Sequence, residues 1–132
     1  MQFTQKIEYA VRGLTYLARK PKDEVVFVSE IAKEQGIPRD FLAKIFQKLA
    51  KHKILASKRG KEGGFIFKKK PKEISVYDII KITEGEVAIN KCLEEGSKCS
   101  AGSKCKMFKV WEKAQSQMTD VFKKTKLSHL IK

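Results

Sequence analysis

The sequence lacks several features that would assign it to other classes of protein. It has no apolar run long enough to cross a bilayer, and no apolar signal core follows Met1, so we expect a cytoplasmic protein that does not enter a membrane. Its three cysteines are few and odd in number, which argues against a disulfide framework. It also has no glycine-rich nucleotide motif, no C-x-x-C pair and no acid/base constellation around either histidine, so no enzyme is expected.

Acidic residues are scarce beside basic ones. The 15 Asp and Glu residues are set against 29 Lys and Arg residues, which gives a formal net charge of +14 over 132 residues. Such a charge implies a polyanionic partner. Nucleic acid is the natural candidate, and an anionic membrane surface is the rival. The length suits one domain with a modest core.

Residues 28–51 have the pattern of two short helices joined by a turn. Ser29 is a typical N-cap and predicts a helix that runs to Gln35 and stops at Gly36. Pro38 suits the first turn of a second helix. The apolar residues of this helix are expected to form an inward stripe of Phe41, Leu42, Ile45 and Leu49, flanked by Phe46 and Ala50.

The opposite face of the second helix suits the major groove of DNA. Its side chains are small, amide or charged: Asp40, Ala43, Lys44, Gln47 and Lys51. An amide can bond adenine, a lysine can reach guanine or phosphate, and an alanine methyl can contact thymine. Ser29, Pro38 and Arg39, at the helix starts, complete the candidate DNA contacts of this unit.

A glycine-bearing hairpin follows, with strands expected at 54–56 and 66–67. Gly60, Gly63 and Gly64 permit a tight turn, and the cations lie at its tip. Arg59 is placed like an arginine that enters a narrow minor groove, with Lys58 and Lys61 beside it for phosphates.

Beyond the hairpin, Lys69 belongs to a lysine run broken by proline, and it is a further candidate phosphate contact. The alternative for the whole region is a small helical subdomain with an exposed basic loop.

The remaining pattern completes a mainly α fold with a small β-hairpin wing. A helix is predicted from about Thr4 to Arg19, a strand at 25–28 that pairs with the hairpin, and a helix capped by Ser75 that ends near Thr83. Residues 87–89 are expected to be extended. The predicted division is a winged helix-turn-helix domain over residues 1–85, a cysteine-bearing loop over 86–106, and a dimerisation helix with a tail over 107–132.

The last helix is predicted from about Lys104 to Lys124. Its apolar residues recur at coiled-coil spacing: Met107, Trp111, Ala114, Met118 and Val121. Because the domain is small, it has little surface to cover this stripe. We therefore expect the helix to pack on its copy in a two-fold dimer, where Leu127, Leu130 and Ile131 could also dock. The alternative is packing on the first helix of the same chain.

Cys92-x6-Cys99-x5-Cys105 is the remaining chemical feature. The spacing is not that of a zinc ribbon or a redox dithiol. Three thiolates in a wide loop can hold an iron–sulfur cluster, which needs about four ligands. On spacing alone, a cluster, a zinc ion and free reactive thiols remain open as alternatives.

Taken together, these residues resemble the IscR/NsrR type of bacterial winged-helix regulators, which are iron–sulfur cluster-sensing repressors. The similarity covers nearly the whole chain. It lies in Ser29-Glu30-Ile31-Ala32, Gly36-Ile37-Pro38 with Phe41-Leu42, Ser57-x-Arg59-Gly60-x-x-Gly63-Gly64-Phe65, Ile74-Ser75-Val76-x-Asp78-Ile79, Glu84-Gly85 and the three cysteines before Trp111. The resemblance implies a homodimer that binds a duplex operator and senses nitric oxide, iron or redox state.

The same resemblance implies a 4Fe-4S or 2Fe-2S cluster on Cys92, Cys99 and Cys105. IscR-type members have a histidine three residues after the last cysteine, whereas this chain has Phe108 there. NsrR-type members use an acidic residue of the first helix, supplied across the dimer, and Glu8 occupies the matching place. Glu8 is therefore the candidate fourth ligand, and a surface ion pair with Arg12 is its alternative role. A small iron–sulfur redox protein is the remote alternative for the whole chain.

Overall fold

The computed structural model describes residues 3–58, 63–94, 96 and 105–131. Over these ranges it contains five α-helices and one small antiparallel sheet. The helices are α1 Gln5–Ala18, α2 Val28–Gln35, α3 Arg39–Lys51, α4 Val76–Thr83 and α5 Phe108–Lys124, and the strands are β1 Val26–Phe27, β2 Leu55–Lys58 and β3 Gly64–Phe67. Short 3-10 helices occupy Pro71–Glu73, Lys91–Leu93 and Leu127–Leu130. The expected class, mainly α with a hairpin wing, is confirmed. No helix within these ranges is both long and apolar enough to cross a membrane.

The sheet has the order β1-β3-β2, with both pairings antiparallel. β2 pairs with β3 along its whole length, from Leu55 opposite Phe67 to Lys58 opposite Gly64. β1 pairs with β3 only at Phe65 and Gly64, which confirms the predicted strand before the helix-turn-helix. Residues 87–89, which were expected to be extended, form neither a helix nor a strand. The Ile89 N–H instead donates to Gln115 Oε1 at 2.9 Å.

The start of α2 differs from the prediction. Ser29 is an exposed residue inside the helix rather than its N-cap, and Phe27 occupies the cap position without a side-chain hydrogen bond. The chain passes directly from β1 into α2 at Val28. The Val28 N–H donates to the Gly63 carbonyl at 2.9 Å, so one free backbone donor of the helix start is satisfied by the hairpin.

The core forms where α1, α3 and β3 meet. Leu14, Phe46 and Phe65 are buried there, and the rings of Phe46 and Phe65 pack edge to face with centroids 5.4 Å apart. Gly13 on α1 makes room for them, since a Cβ at that position would lie 2.9 Å from the Phe46 ring. A glycine inside a helix therefore has a packing reason here.

The buried stripe of α3 differs from the prediction, which put Phe41 in the stripe and Phe46 on its flank. Phe41 is 39% exposed and packs edge-on against Tyr9 at 5.5 Å between centroids, whereas Phe46 is fully buried. The buried residues of α3 are Leu42, Ile45, Phe46 and Leu49. Both sets fit helical spacing, and packing against α1 and β3 decides between them.

Capping defines α4 as the sequence predicts. The Asp78 N–H donates to Ser75 Oγ at 3.0 Å, and the Ser75 N–H donates to Asp78 Oδ2 at 3.1 Å, which is a reciprocal capping box. The helix ends at Thr83. Gly85 follows it with φ of 89°, a conformation that favours glycine.

The segment after α5 returns to the core of its own chain. The Leu127 N–H donates to the Ile74 carbonyl and the Val76 N–H donates to the Thr125 carbonyl, each at 2.8 Å. Leu127 is fully buried in the core of its own chain, in a 3-10 helix that packs on α1 and on the 3-10 helix Pro71–Glu73, so it does not dock on a partner subunit as expected. Leu130, in contrast, is partly exposed.

Candidate DNA interface and cysteine segment

One face of α3 is free to meet a ligand. Asp40, Lys44, Gln47 and Lys51 are exposed, as the sequence predicts, whereas Ala43 at the edge of this face is half-buried against the core. Pro38 and Arg39, at the start of the helix, are also exposed. The helix therefore presents cationic and amide groups in one row, the chemistry required for base edges and phosphates.

The turn between α2 and α3 fixes the angle of that face. Gly36 has φ of 64°, and its N–H donates to the Ala32 carbonyl at the end of α2. A Cβ at Gly36 would meet no other atom, so the backbone conformation alone accounts for glycine there.

The predicted ion pair of Arg12 with Glu8 is wrong. The Arg12 guanidinium donates instead to the Gln35 carbonyl, which ties α1 to the C-terminal end of α2.

The hairpin lies next to the start of α2. Lys58 is exposed at the end of β2, and Gly63 has φ of 69° where the chain re-enters the sheet. The bond from Val28 to Gly63 brings exposed Ser29 close to this end of the hairpin. The predicted tip contacts, Arg59 and Lys61, lie outside the described residues.

Electrostatics on the α3 face are those of exposed, weakly coupled charges. The only acidic candidate, Asp40, forms an ion pair with neighbouring Arg39 at 3.3 Å between Nη1 and Oδ1. Both side chains are exposed, so the pair contributes well under 1 kcal/mol and leaves Arg39 able to turn toward a phosphate. Exposed Lys48, which the sequence analysis passed over, adds a further cation beside Lys44 and Lys51.

The two described cysteines lie in segments next to α5. Cys92 is in the 3-10 helix Lys91–Leu93, which contacts α5, and the Cys105 carbonyl accepts a hydrogen bond from Phe108, the first residue of α5. Both thiols are free and partly exposed. Cys99 lies outside the described residues, and the described residues alone contain no group of three potential metal ligands.

Glu8 lies in the first half of α1 with its side chain exposed. Within the described part of the chain it makes no hydrogen bond or ion pair, because Arg12 is engaged with α2. No described residue of its own subunit therefore engages its carboxylate. The two histidines cap their own segments: His52 Nδ1 lies 2.9 Å from the Lys48 carbonyl, and His129 Nδ1 accepts from the Lys126 N–H at 3.1 Å.

The apolar arc of α5 is divided between two surroundings. Trp111, Met118 and Phe122 are half-buried on their own subunit, and the rings of Phe122 and Phe3 pack edge to face at 5.8 Å. The other side of the arc is exposed: Met107, Val110, Ala114 and Val121, with Val121 at 61%. We call these four residues the outer strip of α5. The helix begins at Phe108, four residues later than predicted.

Comparison with known proteins places this architecture in a family. The family model Rrf2, described as an iron-dependent transcriptional regulator, matches residues 3–132. A candidate HTH-type transcriptional regulator of Aquifex aeolicus (strain VF5) is 39% identical over 133 residues, which span 99% of this chain and 92% of that protein.

Solved structures agree with this assignment. IscR of T. potens has 27% identity and a TM-score of 0.72, with coverage of 98% of this chain and 85% of that one. The oxidized form of Staphylococcus aureus CymR has 25% identity and a TM-score of 0.73, with coverage of 98% and 95%. The chain therefore belongs to the Rrf2 family and is a DNA-binding transcriptional regulator of that family.

Proposed function

We propose that this regulator is a homodimer whose affinity for a specific operator is set by an iron–sulfur cluster, of the 4Fe-4S or 2Fe-2S type, on Cys92, Cys99, Cys105 and one non-cysteine ligand. The observation that carries the proposal is the position of the two described thiols. Cys92 lies in a 3-10 helix that contacts α5 and Cys105 lies just before the first residue of α5, the helix whose outer strip is available to a second subunit.

The donor chemistry of the site fits such a cluster. Cys92 and Cys105 are partly exposed, free of disulfides and separated by a segment long enough to wrap an inorganic centre. Exposed Lys106 beside the last thiol offsets the negative charge of a thiolate-bound cluster. Glu8 remains the proposed fourth ligand from the partner subunit, because the described residues of its own subunit leave the carboxylate unengaged.

Contacts of α5 provide a route from the cysteine segment to the DNA-reading elements. Gln115 accepts from the Ile89 N–H, Phe122 packs on Phe3 before α1, and the Lys123 ammonium lies 4.9 Å from the centre of the Tyr77 ring on α4. A displacement of α5 would therefore also shift the residues that it contacts at α1 and α4. When bound, the cluster supplies a redox- and nitric oxide-reactive centre, and these protein contacts would carry its state to the α3 face.

A second candidate keeps the DNA-binding regulator and makes the cysteines a thiol switch or zinc ligands. The partial exposure of both described thiols favours oxidation of this kind, and the similarity to a CymR structure in an oxidized form is consistent with it.

Anaerobic reconstitution with iron and sulfide distinguishes these candidates. We expect a coloured protein with several iron atoms per chain, a spectrum that changes on addition of nitric oxide, and loss of the colour in each of the single variants Cys92→Ala, Cys99→Ala and Cys105→Ala. Glu8→Ala should yield a cluster that is lost faster. A colourless protein with unchanged metal content in all three cysteine variants would favour the thiol switch and leave DNA binding intact.

DNA contacts are tested separately from the cluster. We expect Arg59→Ala and Gln47→Ala each to cost about 1–3 kcal/mol on an operator obtained by selection from random duplexes, and to relax its sequence preference. Lys44→Ala and Lys69→Ala should instead lower the slope of log affinity against log salt by about one. Lys113→Ala, exposed on α5, is the control. Equal, sequence-independent losses at all four positions would contradict the base-reading roles.

A further inference from the structure

An open groove of about 730 Å³ lies at the base of the hairpin, away from its tip. One wall is the connector after α1, residues 18–24, and the other is formed by residues 66–72 at the end of β3 and beyond. β3 starts at Gly64, beside the tip, and ends at Phe67, beside the groove, so the length of the strand separates the two places.

The groove opens because β1 is shorter than β3. β2 runs beside all four residues of β3, whereas β1 covers only Gly64 and Phe65. Before β1 the chain turns away, with the Glu24 N–H donating to the Pro21 carbonyl. Within the described part of the chain, the β1 side of Ile66 and Phe67 therefore has no strand beside it.

The lining combines an apolar floor with cationic walls. Leu17, Ile66, Phe67 and Pro71 contribute apolar surface. Six lysines stand on the two walls, against two acidic residues: Lys20, Lys22, Lys68, Lys69, Lys70 and Lys72, with Asp23 and Glu24.

One of these lysines is already engaged. The Lys20 ammonium lies 2.8 Å from Glu30 Oε2, and the Tyr16 hydroxyl donates to the same oxygen at 2.6 Å. The hydrogen bond from Lys20, together with that from Tyr16, holds the pKa of the Glu30 carboxyl below its ordinary value. The other five lysines of the walls have no acidic partner among the described residues.

We propose that this groove binds an extended acidic peptide segment of a partner protein, with its apolar side chains on the Ile66 and Phe67 floor and its carboxylates against the lysines. Charge complementarity selects an anionic partner, and the spread of lysines along both walls suits an extended chain rather than a point anion. The uncovered edge of β3 offers the backbone register that such a chain can continue. A nucleic acid backbone would satisfy the lysines but has no apolar groups for the floor.

The test measures binding of two labelled 12-residue peptides to the full chain by fluorescence anisotropy. One peptide alternates glutamate with leucine, and the other alternates glutamate with serine. We expect the leucine peptide to bind at least tenfold more tightly than the serine peptide. Lys22→Glu with Lys72→Glu should weaken leucine-peptide binding at least tenfold, whereas Lys33→Glu with Lys113→Glu, an equal charge change at exposed sites elsewhere, should not.

Three results would overturn the proposal. The first is equal affinity for the two peptides, and the second is an affinity for the leucine peptide that does not change in the Lys22 and Lys72 double variant. The third is displacement of the leucine peptide by a random-sequence duplex, together with an equal loss of duplex affinity in that double variant. The last result would make the whole groove a phosphate-contacting surface, and not only Lys69, the one groove lysine that is also among the proposed DNA contacts. Lys22→Gln with Lys72→Gln repeats the test without charge reversal, should the first double variant fold poorly.

Discussion

Phe46→Ala is expected to lower the free energy of unfolding by about 3–5 kcal/mol, the cost of removing a fully buried aromatic ring. The ring joins three elements, because it lies on α3, packs edge to face on Phe65 of β3, and fills the space left by Gly13 on α1. Few neighbours can collapse into the cavity. Urea unfolding followed by circular dichroism measures the change.

Phe41→Ala is the matched control, since it removes the same ring from the same helix. Phe41 is 39% exposed and its main aromatic contact is the Tyr9 ring, so the expected loss is about 1 kcal/mol. Similar losses for the two variants, or a larger one for Phe41→Ala, would contradict the packing described for α3.

Val121→Glu is expected to convert the proposed dimer to monomers and to reduce operator affinity by about a hundredfold or more, because two linked reading heads gain affinity of that order from their linkage. The Val121 side chain is 61% exposed, so the change removes little contact from its own subunit. In an isologous interface each substitution appears twice, which places two carboxylates near the axis. Sedimentation and electrophoretic shift assays measure the two effects.

Ser116→Glu is the control for the charge. Ser116 is exposed on α5, about 140° around the helix from Val121, and it gains the same charge. This variant should stay dimeric and bind the operator normally. A dimer that survives Val121→Glu but dissociates with Ser116→Glu would place the interface on the other side of α5.

Regular periodicity and capping made much of the fold predictable. The span of α1, the stop at Gly36 and the Ser75 cap of α4 follow from local signals, and the structure confirms each of them. Ser29 failed as a cap for a non-local reason. The helix already begins at Val28, whose N–H is held by Gly63, a residue remote in sequence, so Ser29 lies inside the helix instead of before it.

The prediction buried Phe41 in place of Phe46, and this error also has a non-local cause. Each residue completes an acceptable helical stripe with Leu42, Ile45 and Leu49, so spacing alone does not choose the buried edge. The signal that could have chosen is Gly13, a glycine in the middle of a helix, which marks where a large ring approaches α1.

Exposure of the candidate DNA contacts on α3 followed from periodicity, whereas the roles of the cysteines and Glu8 did not. The spacing of polar residues along one helix is enough to predict which face of that helix is exposed. The residues that bind a metal together cannot be predicted in this way, because they depend on which segments remote in sequence lie close together in the fold. The Glu8 and Arg12 pair shows this, because correct spacing on α1 was outweighed by the carbonyl of Gln35 on another helix.

The hydrogen bond from the Val28 N–H to the Gly63 carbonyl makes hydrogen exchange at the Val28 amide a measure of hairpin opening. The Val28 side chain is fully buried, and its amide hydrogen is held by the strand that re-enters the sheet from the tip. Deuterium can replace that hydrogen only when the hairpin separates from α2. The exchange rate at this single amide therefore measures how tightly the wing is closed, and it should slow when a bound duplex clamps the wing in place.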